Sequence, residues 1–281
     1  MILVFGKTGQ VARELAQLTG THCLSRDEAD LSDPTACAEA IRAARPIAVI
    51  NAAAYTAVDR AEDEEALATR INGAAPGTMA SACADLGIPL VSISTDYVFG
   101  GAGNTPFRPG DPTNPLGAYG RSKLAGERAI AKAGGTWAVL RTSWVVSAHG
   151  NNFVKTMLRL GAERSSLNIV ADQIGGPTPA RDIAAACVAM ARELCTEPEK
   201  SGIYHFAGAP DVSWADFART IFARAQITCE VHDIPSSDYP TPAQRPLNSR
   251  LDCALLDTVF GLTRPDWRDG LDDILEDLRG T

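Results

Sequence analysis

The first half of the chain alternates short apolar runs with amphipathic helical patterns, and this alternation constrains the fold more than any other feature. The apolar runs are ILVFG at residues 2–6, THCLS, IAVINAA, PLVSIST and WAVLRTSWV, and the longest helical region between them runs from Asp59 to Leu86. Repetition of strand, helix and strand predicts a parallel sheet with helices on both faces. Gly20 is expected to end the first helix, and Asp33 followed by Pro34 to begin the second.

After about residue 150 the pattern becomes mixed, which indicates a second lobe. We expect an α/β protein with a Rossmann-like doubly wound parallel sheet and a smaller, partly interleaved C-terminal α/β substrate lobe. Residues 1–150 would form the dinucleotide-binding domain, with some later segments returning to it, and residues 151–281 would mainly form the substrate-binding lobe. The Pro-rich stretch at 234–251 is predicted to be a long loop rather than core.

Composition excludes several classes of protein. No apolar run approaches 18 residues and no secretory signal opens the chain, so a membrane span is not indicated and the cytoplasm is the expected location. A net charge of −8 without a block of Lys and Arg argues against a nucleic-acid surface. The seven scattered Cys lack metal-ligand spacing, which favours reduced thiols and predicts no metal site. The four His are also scattered and are expected to be structural.

The first strand leads directly into a glycine turn. Gly6 and Gly9 follow ILVF and precede the first helix in a GxxGxxA pattern, with Ala12 where the GxGxxG fingerprint has its third glycine. Glycines allow close approach of a pyrophosphate, and a helix N-terminus presents free N–H groups to it. The turn therefore predicts a dinucleotide site. Ala52, Ala53 and Ala54, which end the third strand, offer small side chains on which the dinucleotide could lie.

The end of the second strand bears on the choice between NADPH and NADH. Arg26 stands where an arginine would favour the 2′-phosphate of NADP, although a solvated loop arginine is an equally good interpretation. Asp30 and Leu31 could bracket the adenine, one by a hydrogen bond and one by apolar contact. We predict NADPH as the cofactor and keep NADH as an alternative.

The fourth strand ends in STDYVFGG, which places Thr95, Asp96 and Tyr97 at the edge where open α/β sheets bind ligands. Further along, Tyr119 precedes Lys123 by four residues at the start of a helix, so the two side chains share one face. We expect the Lys123 ammonium to lower the phenol pKa by about 1 to 3 units. Tyr119 would then be an acid for a ketone that the Thr95 hydroxyl holds.

Several motifs together resemble those of the dTDP-4-dehydrorhamnose reductases, which are extended short-chain dehydrogenases/reductases. The resemblance extends over nearly the whole chain and is carried by the following segments: GKTGQ at 6–10, NAAAYTAVDRAE at 51–62, STDYVFGG at 94–101, PLGAYGRSKLAGE at 115–127, RTSWV at 141–145, NNFVKTML at 151–158 and YPTPAQRPLNSRL at 239–251. It implies NAD(P)H-dependent reduction of the C4 ketone of dTDP-4-dehydro-β-L-rhamnose to dTDP-L-rhamnose, the last step of dTDP-rhamnose synthesis.

The resemblance also implies roles for individual residues. The expected catalytic triad is Thr95, Tyr119 and Lys123, and Lys123 would also hold the nicotinamide ribose hydroxyls. The glycine and alanine motifs add further cofactor-binding residues to those above, namely Thr8, Gln10, Val11 and Tyr55. The nucleotide sugar would be bound by the triad tyrosine and threonine together with Val58, Asp96, Tyr97, Trp144, Asn152, Arg245 and Asn248. A core position for Trp144 and a surface ion pair for Arg245 are the competing interpretations.

Two departures and three rival functions bear on this prediction. Ala12 replaces the third fingerprint glycine, and Arg181 stands where some relatives carry a carboxylate, so a metal-bridged dimer is not expected and a homodimer is left open. A nucleotide-sugar dehydratase would carry a glutamate base at the position of Tyr97. An epimerase is not excluded by the sequence. A catalytically silent relative that binds a dinucleotide, such as the methionine adenosyltransferase regulatory subunit, is disfavoured because Tyr119 and Lys123 are both present.

Overall fold

The computed structural model describes residues 1–280 and contains strands and helices in close alternation. The strands are β1 (Ile2–Phe5), β2 (Thr21–Leu24), β3 (Ala48–Asn51), β4 (Leu90–Thr95), β5 (Trp137–Thr142), β6 (Val145–Val146), β7 (Ser166–Val170), β8 (Ile174–Gly175), β9 (Thr178–Pro179), β10 (Gly202–His205), β11 (Val212–Ser213), β12 (Glu230–Ile234) and β13 (Asn248–Ser249). The α-helices are α1 (Gln10–Leu15), α2 (Pro34–Ala44), α3 (Glu65–Thr69), α4 (Ala75–Leu86), α5 (Ala118–Ala133), α6 (Phe153–Glu163), α7 (Ala180–Leu194), α8 (Trp214–Ala225), α9 (Ala254–Phe260) and α10 (Trp267–Arg279).

The central sheet has six parallel strands in the order β10-β5-β4-β3-β1-β2. Both of its faces are buried. Along β1, Leu3 and Phe5 point into the core formed with α2, α4 and α5, while Ile2 and Val4 point into the core formed with α1, α7 and α9. Each large apolar side chain buried in this way contributes about 1.5 to 3 kcal/mol. The predicted doubly wound α/β fold is confirmed.

The strand order reverses between β1 and β3. From β1 the chain moves outward to β2 on one side and then returns to β3 on the other. At such a switch point the loops leave the carboxyl ends of the two strands in opposite directions, which opens a crevice for ligands. Gly6 follows β1 there and Ala52 follows β3, and the Ala52 N–H donates to the Phe5 carbonyl at 3.0 Å.

Most predicted elements are present, but several boundaries differ. The second helix begins as predicted, because the Asp33 carboxylate accepts from the N–H groups of Thr35 and Ala36. The expectation that Gly20 ends the first helix is wrong, since α1 already ends at Leu15. The region from Asp59 to Leu86 is an irregular series of helices that includes a 3₁₀ turn and a π-helical segment, Arg60–Glu62 and Arg70–Ala74.

The later part of the chain contributes to two cores. Helices α6, α8 and α10 pack with the parallel pair β7–β12 around a core of their own that includes Phe217 and Trp267. In contrast, β10 is the edge strand of the central sheet, and α7 and α9 pack against that sheet. The Pro-rich stretch at 234–251 is not simply a surface loop, because Ala243 and the short strand β13 are buried. No helix within residues 1–280 is long and apolar enough to cross a membrane.

Helix α5 lies unusually close to its neighbours because two of its residues are glycines. A Cβ on Gly120 would overlap the Tyr97 carbonyl oxygen, and a Cβ on Gly126 would overlap the Asn72 carbonyl oxygen. Asn72 lies in the π-helical segment, and its side chain donates to the Ser122 hydroxyl of α5 at 2.9 Å. These contacts fix the helix, and with it Tyr119, against the carboxyl end of β4.

We predict that Gly126→Ala destabilises the protein by about 2 kcal/mol, because the added methyl group meets backbone rather than a movable side chain. The free energy of unfolding from urea titration measures this. Gly110→Ala is the matched control, since nothing lies within 4 Å of its added Cβ. Equal stability of the two variants would contradict the close packing of α5.

Candidate active site

Thr95, Tyr119 and Lys123 meet at the carboxyl end of β4. Thr95 is the last residue of β4, and Tyr119 and Lys123 lie one turn apart at the start of α5. The first turn of α5 has no side-chain cap from its own N-cap residue, Gly117. Instead the Glu62 carboxylate accepts from the Ala118 N–H at 2.9 Å, which satisfies one of the free donors of that turn.

The Tyr119 phenol is strongly held in its protonated form. Burial raises its pKa, as do the neighbouring Asp96 and Tyr97 side chains, while a hydrogen bond with the Thr95 side chain opposes the rise. The prediction that Lys123 lowers the pKa of Tyr119 is therefore wrong. The reason is that burial dominates the pKa of Tyr119, while the Lys123 ammonium group is directed to the Ile93 carbonyl at 2.7 Å.

Lys123 is itself buried, with 6% of its surface exposed. Burial lowers its pKa to about 8, and the opposite charge of Glu127, one turn further along α5, limits the decrease. An ammonium group has three donors, and the bond to the Ile93 carbonyl uses one. The remaining N–H groups are available for a ligand.

Behind Lys123 lies a buried ion pair that the sequence analysis missed. Glu127 and Arg141 form two parallel hydrogen bonds of 2.9 and 2.6 Å, and both side chains are at most 3% exposed. Ser94 donates to the same carboxylate at 2.5 Å. A glutamate four residues after Lys123 was the available signal, but nothing in the sequence pairs it with an arginine on β5.

His205 completes this network in its neutral form. Its Nδ1 lies 3.0 Å from the Phe107 carbonyl, which can only accept, so Nδ1 carries the proton and Nε2 can accept from Arg141 at 3.4 Å. Burial, followed by the Arg141 charge, lowers the pKa of His205 to about 3. The predicted structural role fits this histidine, which ties β10 to the loop before α5.

Asp96 is a buried carboxyl at the same strand end. Thr95 donates to Asp96 Oδ1 at 3.0 Å, and the Tyr97 N–H donates to the Thr95 hydroxyl at 3.2 Å. Burial raises the pKa of Asp96 to about 6, and a hydrogen bond with the Ser249 side chain, along with that of Thr95, limits the rise. Its Oδ2 has no partner of good geometry within residues 1–280. The rings of Tyr97 and Tyr119 meet edge to face at 5.5 Å.

The glycine turn forms a close-fitting cradle at the switch point. Gly6 has a φ of +112°, and a Cβ there would lie 3.4 Å from the Ala12 and Ala53 methyl groups and from the Ala52 carbonyl carbon. Only glycine suits this conformation and spacing. Gly9 precedes α1 with no side-chain cap and with nothing within 4 Å of an added Cβ, so the backbone there is open to a ligand.

The other residues predicted to bind the cofactor differ in burial, and their contact with it stays a prediction. Thr8 is exposed, whereas Val11 and Leu31 are buried in the two cores of the central sheet. Ala54 is half-buried after β3. The Tyr55 hydroxyl donates to Glu64 at 2.6 Å.

Gln10 and Asn152 join the glycine turn to α6. Asn152 donates to the Gln10 side-chain oxygen at 2.9 Å and accepts from the Lys155 N–H at 3.2 Å as the N-cap of α6. Gln10 also lies 3.4 Å from the Val145 carbonyl. The Asn152 amide is therefore fully engaged in capping and bridging, and its contact with a sugar stays a prediction.

Arg26 forms an exposed ion pair with Asp30 at 3.1 Å. The Arg26 side chain is 75% exposed, and the Asp30 carboxylate also accepts from the Ser32 N–H at 2.9 Å. Arg26 and Asp30, both predicted to contact the adenosine end of the cofactor, thus form an exposed ion pair with each other. Solvent screens such a pair, so either partner can be released at small cost.

Two predicted substrate-binding residues come from the segment at 239–251. Arg245 Nη2 donates to both carboxylate oxygens of Asp59, at 2.8 and 2.7 Å. This pair joins the segment to Asp59, the residue after the half-buried Val58. Burial raises the pKa of Tyr97 to about 12, and the Arg245 charge limits the rise. Asn248 is buried and donates to the Thr105 carbonyl at 2.9 Å.

Comparison with known proteins decides the family. A family model described as RmlD substrate binding domain matches residues 1–279. The dTDP-4-dehydrorhamnose reductase of Burkholderia thailandensis is 46% identical over 294 residues, covering 99% of this chain and 98% of that protein. The reductase of the same name from Salmonella typhimurium is 41% identical over 292 residues, covering 99% and 97%. The chain belongs to the dTDP-4-dehydrorhamnose reductase family.

Solved structures of this family share the whole fold. A crystal structure of a dTDP-4-dehydrorhamnose reductase from Clostridium acetobutylicum superposes with a TM-score of 0.92 at 34% identity, covering 99% of each chain. The reductase from Bacillus anthracis, solved in complex with NADP, has a TM-score of 0.91 at 32% identity, covering 98% of each chain. The family resemblance predicted from the motifs is confirmed.

Arg181, the departure from the reductase pattern noted above, takes part in an ion-pair cluster. It contacts Asp273 at 3.0 Å, Asp277 at 3.2 Å and Glu14 at 3.9 Å, all outside the crevice. Within residues 1–280 no group of three or more His, Cys, Asp or Glu side chains has the arrangement to hold a metal ion.

We predict that Arg141→Met costs about 3 to 5 kcal/mol of unfolding free energy, because it removes the cation that donates two hydrogen bonds to the buried Glu127 charge. The double variant Glu127→Gln/Arg141→Met should lose less than this single variant. Urea titration measures both. Arg121→Met, which breaks the exposed pair with Glu65, is the control and should cost less than about 1 kcal/mol. A double variant as unstable as Arg141→Met would contradict this account.

Proposed function

We propose that this protein reduces the C4 ketone of dTDP-4-dehydro-β-L-rhamnose to dTDP-L-rhamnose with NADPH. The observation that carries the proposal is the protonated Tyr119 phenol, held beside Thr95 and one turn from Lys123 at the carboxyl end of β4. Membership of the reductase family, over the full length of the chain, supports the substrate. The NADP bound by the Bacillus anthracis relative supports the cofactor.

The crevice between β1 and β3 suits a dinucleotide. Gly6 takes a positive φ against Ala12, Ala52 and Ala53, and the open backbone at Gly9 leaves room for a pyrophosphate. Lys123, with two N–H groups to spare, would hold the nicotinamide ribose hydroxyls. Bound NADPH would supply the hydride.

Tyr119 would supply the proton. Because burial, Asp96 and Tyr97 raise its pKa above the ordinary value of about 10, the phenol is protonated throughout the neutral range. The alkoxide formed when a ketone accepts hydride is a far stronger base than a phenolate, so proton transfer from Tyr119 remains downhill. The Thr95 hydroxyl, whose one proton is donated to Asp96 Oδ1 in the structure, would turn from that carboxyl to the ketone oxygen and hold it against Tyr119.

The residue after Asp96 favours reduction over elimination. A dehydratase needs a carboxylate base at this position to remove the C5 proton, and this chain has Tyr97 there. With its pKa raised to about 12, the Tyr97 phenol is a proton donor rather than a base at neutral pH. Simple ketone reduction needs no second base.

The nucleotide sugar would occupy the space between the strand ends and the later part of the chain. Val58, Trp144 and Arg245 would border this space, and Asp96 and Tyr97 would contact the sugar from β4. The Asn152 amide is engaged with Gln10 and the Asn248 amide with the Thr105 carbonyl, so these two residues would mainly hold the segments around the sugar in place. Arg26, released from Asp30, would meet the 2′-phosphate and favour NADPH over NADH.

The direct test is to mix the purified protein with NADPH and freshly made dTDP-4-dehydro-β-L-rhamnose, and to monitor NADPH oxidation as a loss of NADPH fluorescence. Steady-state rates with NADPH and with NADH give the substrate and the cofactor preference together. A protein that binds NADPH without oxidising it would instead be a silent regulator. Conversion of the sugar without net oxidation would indicate an epimerase.

We predict that Tyr119→Phe lowers kcat by at least about 100-fold, because the general acid is removed while the ring stays in place. The dissociation constant of NADPH should change little. Tyr204→Phe is the matched control, since that buried hydroxyl donates to the Lys200 carbonyl away from the crevice. Retention of more than a tenth of the activity in Tyr119→Phe would remove Tyr119 from the mechanism.

We predict that NADPH affinity falls about fivefold between pH 7 and pH 9, because charge-assisted hydrogen bonds from Lys123 weaken when it loses its proton. Because the pKa of Lys123 is about 8, its side chain is mostly an ammonium group below pH 8 and mostly a neutral amine above it. Fluorescence titration at several pH values measures the change. Lys123→Met should bind weakly at every pH, whereas the exposed Lys132→Met should behave like the unaltered protein. An identical pH dependence in Lys123→Met would assign the effect to another group.

A further inference from the structure

Trp144 adopts a backbone conformation that a bulky residue rarely takes. Its φ is +47°, in the left-handed region. Trp144 lies in the short connection between β5 and β6, and its carbonyl accepts from the Thr178 N–H at 3.1 Å. Strain of this kind persists only where the surroundings hold it in place.

Trp214, the first residue of α8, covers one face of the Trp144 indole. The two ring centroids are 3.5 Å apart and the planes differ by 11°. Trp144 is only partly buried and this face of its indole is covered, so a ligand would meet the opposite face. An aromatic face of this kind suits the C–H groups of a sugar ring.

Trp214 is in turn held by a hydrogen bond and by a second aromatic ring. Its Nε1 donates to the Gln173 side chain at 3.2 Å, and Gln173 donates to the Ser236 hydroxyl at 2.9 Å. The Phe153 ring lies 4.5 Å from the Trp214 ring. The position of Trp214 is therefore set by the core of α6 and α8 and does not depend on Trp144.

Gly175 fixes the edge of the indole. A Cβ at this residue would lie 2.9 Å from Trp144 Cε2, 3.1 Å from its Nε1 and 3.0 Å from the Ser249 Cβ. Gly175 belongs to β8, which pairs with both β11 and β13. The small sheet β11-β8-β13 thus contains Gly175 in β8 and Ser249, which hydrogen-bonds to Asp96, in β13. Trp214 follows directly after β11.

We propose that Trp214 and Gly175 are positioning residues that fix the Trp144 indole as the wall on which the sugar of the substrate rests. The proposal rests on the function proposed above and extends it to residues outside the reacting centre. Neither residue reaches the atoms that exchange hydride or proton. Their loss therefore affects substrate binding more than the chemical step.

The test compares Trp214→Ala, Trp214→Phe and Gly175→Ala with the unaltered full-length protein. In Trp214→Ala and Gly175→Ala, KM for the keto sugar should rise about tenfold, while kcat stays within about twofold and the dissociation constant of NADPH is unchanged. Trp214→Phe, which keeps an aromatic ring on Trp144, should stay within about threefold in KM. Trp267→Phe is the control, because this buried indole bonds to the Pro210 carbonyl away from the crevice.

A second readout needs no substrate. Two indoles stacked face to face couple their transitions, so the protein should show a coupled pair of circular-dichroism bands that Trp214→Phe abolishes, Gly175→Ala alters and Trp267→Phe leaves intact. Absence of the coupled bands in the unaltered protein would overturn the proposal, as would an unchanged KM in both Trp214→Ala and Gly175→Ala. Failure of the unaltered protein to oxidise NADPH would instead count against the proposed function, with the coupled bands still deciding the position of Trp144.

Discussion

The close approach of α5 to the end of β4 is the constraint on which the site depends. Gly120 and Gly126 leave no side chain between the helix and the backbone of its neighbours, so Tyr119 and Lys123 are delivered to the strand end by rigid elements rather than by a loop. A catalytic hydroxyl must be placed to within a fraction of an ångström to transfer a proton efficiently. Packing of backbone on backbone provides that precision, because neither surface has rotamers to exchange.

Electrostatics then determine what the positioned groups can do. Burial alone favours the uncharged forms, and it keeps Tyr119 protonated and lowers the pKa of Lys123. Glu127 works against burial at Lys123, and its own charge is matched by Arg141. The pair costs desolvation energy, so its value lies in specifying where two groups sit rather than in net stability. A network of this kind supports the helix turn that carries Tyr119 and Lys123.

The sequence predicted the fold and the meeting of Thr95, Tyr119 and Lys123 at the end of β4, because both follow from local sequence patterns. Alternating strands and helices, the Tyr119–Lys123 spacing and the glycine turn all lie within short stretches. What it could not predict depends on contacts between distant segments. Arg141 meets Glu127 across the core, and Arg245 turned out to bind Asp59, nearly two hundred residues away. The direction of the Tyr119 pKa shift was missed for the same reason, since spacing reveals a neighbouring charge but not burial.

The sixth strand of the central sheet has a consequence for how the chain can be divided. β10 lies at the edge of the sheet beside β5, yet it is made from residues 202–205. A fragment that stops near residue 150 would leave β5 with a bare row of hydrogen-bonding groups and expose the apolar face that α7 covers. Such a fragment invites intermolecular strand pairing. The six-stranded sheet is therefore completed only after most of the chain has been synthesised.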